Sequence, residues 1–250
     1  MMKLLKYDLK RNANTFLGMA AILVIVQAVL SIVGNVKGWD DGLIIAFNII
    51  LYVSAGIIML VLVCKTFEAN IKAYNRRLLP VHPAWTVLSS LLLGLVTAAV
   101  FVAVMFTHAL LYLHFKGISY DLTFGQASAK DWLLIALAAA WGYTVLVLTI
   151  FTAITIGASI SIRGKAGTWI GIVSFFVIIN VMSWLESLLF GNSDSSDLSL
   201  GIFRGSTNDA LTVATGGIQF LSIAQFLFEA VFAGLMFYAT IYLLSKRMEI

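Results

Sequence analysis

Charged side chains are scarce in this chain, and their scarcity excludes most soluble folds. Only 11% of the 250 residues are Asp, Glu, Lys or Arg, against roughly a quarter in an ordinary soluble domain. Hydrophobic residues make up 61%, and a water-soluble fold has too little polar surface to cover so much apolar side chain. The composition therefore indicates an integral membrane protein.

Proline and cysteine are also rare. With two prolines and long continuous apolar stretches, the chain favours membrane-spanning helices over barrel strands, which alternate with period two. Its single cysteine, Cys64, excludes an intramolecular disulfide and a cysteine-clustered metal site. We predict an all-α polytopic membrane protein without a metal site.

Six apolar stretches are long enough to cross about 30 Å of hydrocarbon. We predict spans at residues 15–36, 42–64, 84–115, 132–162, 168–190 and 218–244. The third and fourth exceed the usual length of about twenty residues, so we expect them to tilt or to project beyond the bilayer. Together they predict one transmembrane domain over residues 1–250.

Lysine and arginine concentrate on one side of this arrangement. Twelve of the 16 fall before the first span, in the second and fourth connections or after the last span: Lys3, Lys6, Lys10, Arg11, Lys65, Lys72, Arg76, Arg77, Arg163, Lys165, Lys246 and Arg247. The opposite loops hold most of the acids. The positive-inside rule therefore predicts a cell-membrane protein with both termini in the cytoplasm.

Residues 1–13 form a basic amphipathic segment. On a helical wheel, four apolar side chains separate from three lysines: Met1, Met2, Leu5 and Leu9 against Lys3, Lys6 and Lys10. This pattern suits an interfacial helix lying flat on the inner membrane surface. The alternative is an ordinary basic flank that only fixes the topology.

Residues 65–83 form the most informative connection. Apolar side chains recur there at helical spacing, at Phe67, Ile71, Tyr74 and Leu78, and Pro80 follows them. An apolar stripe outside the bilayer must be buried against another protein surface. The stripe either packs on the chain's own helices or enters a groove of a cytoplasmic partner. The extracellular loop 191–217, rich in Ser, Gly and Asp, either forms a short helical cap or is disordered.

These features resemble the permease subunit of an ABC transporter of the ABC-2 exporter type. The resemblance lies in the six spans, the basic entry segment, and the short motifs Thr66-Phe67-Glu68 and Leu78-Leu79-Pro80-Val81. It implies that 65–83 is the coupling segment that docks on a separate ATPase subunit. By the same resemblance Glu68 lies at the docking surface, the stripe supplies apolar anchors, and Pro80 fixes the return to the membrane.

The chain contains no phosphate-binding loop G-x-x-x-x-G-K-[ST] and no H-E-x-x-H motif. We therefore expect no enzyme activity and no catalytic residue in this chain, with ATP and Mg bound by the partner ATPase. The resemblance also implies a second permease subunit, in a homodimer or heterodimer. Small residues are candidates for that interface, at Gly94, Ala98, Gly157, Gly167 and Gly171. Membrane lipid is expected around the chain, and nucleic acid is not an expected partner.

Three polar residues within the predicted spans are candidates for function. Glu229 falls inside the sixth span, where an ionisable group is costly, and it either serves substrate or proton passage or makes a structural hydrogen bond. Gln225 lies one turn earlier on the same helix. His108 titrates near neutral pH when exposed but more often is a hydrogen-bonded core residue.

Two other functions remain open on the sequence. One is the membrane component of an importer, and the other is a sensor or scaffold that transports nothing. Co-purifying proteins would distinguish them from an exporter.

Overall fold

The computed structural model describes residues 2–73, 82–116, 129–160, 166–190 and 223–248. Within these ranges the chain forms six α-helices: α1 Met2–Val36, α2 Asp41–Lys72, α3 Pro83–Lys116, α4 Ala129–Ile160, α5 Ala166–Phe190 and α6 Ile223–Met248. All six are long and apolar enough to cross a membrane. Over the described ranges the chain is therefore all-helical, with the helix lengths and hydropathy of a multi-pass membrane protein, and the prediction of six apolar spans is confirmed.

Two helices extend furthest beyond their predicted spans. Helix α1 begins at Met2, so residues 2–13 are its first turns and no separate interfacial helix is seen. Helix α2 continues past Cys64 to Lys72, into the stretch predicted as a cytoplasmic segment. Charged side chains on one face of a helix do not interrupt it when the opposite face is buried. The predicted loop 191–217 lies outside the described residues.

The turn after α1 depends on one glycine. Gly38 has φ +67°, a left-handed conformation that favours glycine. Its amide donates to the carbonyl of Asn35 at 3.2 Å, and the Trp39 amide donates to that of Gly34 at 2.9 Å. This pair of bonds is a Schellman cap, which satisfies carbonyls at the helix end and reverses the chain into α2.

The first compact unit, Met1–Leu122, contains α1, α2 and α3, each packed against the other two. The contacts between α1 and α2 are evenly matched in sequence. Asp8 and Gly34 on α1 are separated by the same number of residues as Ile44 and Asn70 on α2. Ile44 lies against Gly34, and Asn70 bonds Asp8. The antiparallel helices α1 and α2 therefore keep one register along their whole contact.

The second compact unit, Thr123–Ile250, contains α4, α5 and α6, with α4 packed along both other helices. The α4–α6 contact includes a buried hydroxyl pair, in which the Oγ1 atoms of Thr152 and Thr240 are 3.0 Å apart. The α4–α5 contact is glycine on glycine, at Gly157 and Gly171. Helix α5 otherwise exposes its apolar side chains, as expected for a surface that faces lipid.

Candidate functional site

A buried polar cluster joins the three helices of the first unit. Asn70 on α2 is its centre: its Nδ2 donates to Asp8 Oδ2 at 3.2 Å and to Ser90 Oγ at 3.3 Å, and its Oδ1 accepts from Arg11 Nη2 at 2.9 Å. Asp8 and Arg11 are on α1, and Ser90 is on α3. We call these four residues the Asn70 cluster.

The charges around Asn70 fix the orientation of its amide. A carboxylate only accepts hydrogen bonds and a guanidinium only donates them, so the NH₂ group must face Asp8 and the oxygen must face Arg11. Asp8 is 0% exposed, and the Arg11 guanidinium lies 3.9 Å from its second oxygen. Buried hydrogen bonds to charged groups contribute about 1.5–3 kcal/mol each, so the cluster stabilises the contact of all three helices.

The Asn70 cluster lies near the end of α2 and the start of α3. Helix α2 ends at Lys72, and the Ala73 backbone is extended while its amide still donates to the Ala69 carbonyl at 3.0 Å. Helix α3 begins at Pro83, whose missing N–H costs nothing at a first helical position. The cluster therefore joins the last turn of α2 to the second turn of α3.

The predicted apolar stripe divides between buried and undescribed residues. Phe67 is 0% exposed and Ile71 is 7% exposed, both on α2 within the first unit. Of the two interpretations of the stripe, these residues fit packing on the chain's own helices. Tyr74, Leu78 and Pro80 lie outside the described residues.

Glu68 lies at the exposed edge of the same helical turns. Its carboxylate pairs with the Lys72 ammonium one turn later, and both side chains are substantially exposed. Such an exposed pair contributes only about 0.3–0.5 kcal/mol to a helix. Glu68 is thus available to a partner at little cost to the fold.

His108 has a specific partner that the sequence did not reveal. The Tyr52 hydroxyl on α2 and His108 Nδ1 on α3 share a hydrogen bond of 2.7 Å. Two further polar contacts join these helices, one between Asn70 and Ser90 and one from the Tyr112 hydroxyl to Asp41 Oδ1 at 3.4 Å. His108 therefore fits the interpretation of a hydrogen-bonded core residue, here within the contact of α2 and α3.

Glu229 also makes an interhelical hydrogen bond. Trp141 Nε1 on α4 donates to Glu229 Oε2 on α6 at 2.7 Å, and the Trp141 ring lies 4.9 Å from that of Phe226. Of the two roles considered for Glu229, this geometry fits the structural hydrogen bond. Gln225 lies in the first turn of α6, and its side chain is outside the described part of the structure.

Two variants of Glu229 distinguish the contribution of its hydrogen bond from that of its charge. Glu229→Gln keeps an oxygen that accepts from Trp141, whereas Glu229→Leu removes it. We expect Glu229→Leu to lose about 1 kcal/mol of stability and Glu229→Gln to stay near wild type, measured by thermal unfolding in detergent. Equal losses in both variants would show that the charge, and not the hydrogen bond, matters.

Comparisons with protein-family models, with curated proteins and with solved structures give no match to this chain.

Proposed function

We propose that this chain is the transmembrane subunit of an ATP-driven ABC-2 type exporter in the cell membrane, with both termini in the cytoplasm. Six spanning helices and the one-sided distribution of lysine and arginine support this assignment. The observation that carries it is the Asn70 cluster at the base of the α2–α3 connection. That connection is where the resemblance expects an ATPase to dock.

The proposed docking surface is narrower than the whole apolar stripe. Phe67 and Ile71 are buried inside the first unit, so they support the connection from within. Glu68 and Lys72 are exposed on the last turns of α2, next to residues 74–81. The ATPase would contact these charges together with the connection, including Tyr74, Leu78 and Pro80.

In this proposal the Asn70 cluster transmits movement from the docking surface to the other helices of the first unit. A force on the connection acts directly on the end of α2 and the start of α3. Because Asn70 bonds side chains on α1 and α3, those ends move with α1 rather than separately. In this proposal ATP and Mg bind the partner ATPase, a second permease subunit completes the pathway, and this chain converts closure of the ATPases into helix movement.

Co-purification tests the proposal. A tagged wild-type chain in mild detergent should retain a Walker-type ATPase, and Glu68→Arg should reduce the amount of retained ATPase by about tenfold or more, because an interfacial charge is reversed. The fold should persist, since the Glu68–Lys72 pair is exposed. The measurement is the ratio of ATPase to permease on the affinity resin.

Asp40→Arg is the matched control. Asp40 is an exposed acid that precedes α2 at its other end, and its side chain makes no capping hydrogen bond. The same charge reversal there should leave ATPase retention unchanged. A wild-type chain that retains no ATPase, or a Glu68→Arg chain that retains it fully, would contradict the proposal.

A further inference from the structure

Three polar side chains inside the first unit have buried atoms without hydrogen bonds to any described residue. Gln27 on α1 is 0% exposed, and neither its Nε2 nor its Oε1 has a partner there. Ser31 Oγ, one turn later on α1, and Asn48 Oδ1 on α2 are likewise buried and unpartnered within the described ranges. Asn48 Nδ2 donates to the Ile44 carbonyl of its own helix at 3.0 Å. Most buried polar atoms in native proteins have a hydrogen-bond partner in protein or ordered water, so a group of such atoms on neighbouring helices calls for an explanation.

The register of α1 and α2 brings these side chains together. Ile44 lies against Gly34. Asn48 is one turn beyond Ile44, so it lies opposite Leu30, one turn before Gly34. Gln27 and Ser31 flank that position on α1. Because an α-helix rises 1.5 Å per residue, the Cα positions of the three residues lie within about 6 Å of one another along the helix axis. We call them the Gln27 triad.

The chemistry of the triad selects its ligand. An amide NH₂ group donates, two amide oxygens accept, and a hydroxyl both donates and accepts; none of these groups is charged. Tyr52, one turn beyond Asn48, is already bonded to His108 and is not needed by the triad. A neutral ligand is required that both donates and accepts and fits between two packed helices.

We propose that the Gln27 triad binds water inside the α1–α2 contact, within the membrane-spanning part of the chain. One or two water molecules that bridge the three side chains satisfy the amide of Gln27 and the oxygens of Ser31 and Asn48, as internal waters do at buried polar sites. The site belongs to the first unit alone. It is independent of whether an ATPase binds this chain.

Solid-state NMR of the chain in lipid bilayers tests the site directly. The chain has four glutamines, Gln27, Gln126, Gln219 and Gln225, so side-chain ¹⁵N labelling of glutamine gives a spectrum that a Gln27→Met variant assigns. Magnetisation transferred from water should reach the Gln27 NH₂ group at short mixing times. Transfer as slow as to the backbone amides of the buried residues Val63 and Leu93 would overturn the proposal.

Variants of the other two members show whether the water belongs to the triad. Asn48→Leu and Ser31→Ala each remove an acceptor, and each should slow transfer to Gln27 by about twofold or more. Thr97→Val is the control, because Thr97 is a buried hydroxyl on α3 that bonds carbonyls of its own helix. It should leave the transfer unchanged. Unchanged transfer in both Asn48→Leu and Ser31→Ala would overturn the proposal.

Discussion

Asn70→Ala is expected to lower the thermal unfolding midpoint of the detergent-solubilised chain by about 6–12 °C, corresponding to about 3 kcal/mol. The substitution removes three hydrogen bonds at once, to Asp8, Arg11 and Ser90. It also leaves the fully buried Asp8 carboxylate without one of its donors. A buried charge that loses a partner is costly, so the loss should exceed that of an ordinary polar-to-alanine change.

Asn35→Ala is the matched control for this result. Asn35 is an exposed asparagine in the last turn of α1, and removal of its side chain should change the midpoint very little. Asp8→Ala combined with Asn70→Ala completes a double-mutant cycle. Because the two residues share a bond, the double variant should lose less than the sum of the single losses. Additive losses would show that Asp8 and Asn70 are not coupled.

The sequence predicted the spans because length and composition alone decide whether a helix can cross hydrocarbon. It did not predict the end of α2. The charges of Lys65, Glu68 and Lys72 suggested that the chain had left the bundle, yet they occupy one face of a helix whose other face holds the buried residues Phe67 and Ile71. Periodicity identified the apolar face, but it cannot tell which surface covers it.

The members of the Asn70 cluster were missed for a related reason. Asp8 was overlooked in a segment dominated by lysine, although on a helical wheel it lies beside Met1 and Leu5 and away from Lys3, Lys6 and Lys10. An acid on the apolar side of a helix indicates burial with a donor. The identity of that donor, Asn70, depends on the pairing of distant helices, which the sequence of one chain does not specify. The same holds for Tyr52 beside His108 and Trp141 beside Glu229.

The glycines of α4 and α5 also show that a sequence pattern can predict a close contact without identifying the helices that make it. Their small size predicted close helix contact, and the resemblance placed that contact between two permease subunits. In the structure Gly157 and Gly171 meet within one chain. A β-carbon on Gly157 would overlap the carbonyl oxygen of Gly167 and lie 3.0 Å from the Gly171 nitrogen. All of these are backbone atoms, which cannot rotate away as a side chain can.

Gly157→Ala is therefore expected to force α4 and α5 apart and to lower stability by about 2 kcal/mol, since overpacking a close contact costs about 1–3 kcal/mol. This loss should appear although alanine is the better helix former by about 1 kcal/mol. Gly171→Ala should lose less, because its β-carbon would meet the Ala153 carbonyl oxygen at a more tolerable 3.2 Å. The measurement is again the unfolding midpoint in detergent.

Gly142→Ala separates packing from helix propensity. Gly142 lies on α4 as Gly157 does, but a β-carbon there would meet no described atom within 4 Å. This variant should be as stable as wild type or more stable, because only the gain in helix propensity remains. The predicted order of stability is therefore Gly142→Ala above Gly171→Ala above Gly157→Ala. If Gly157→Ala matched Gly142→Ala, the close contact of α4 and α5 would not exist in the folded chain.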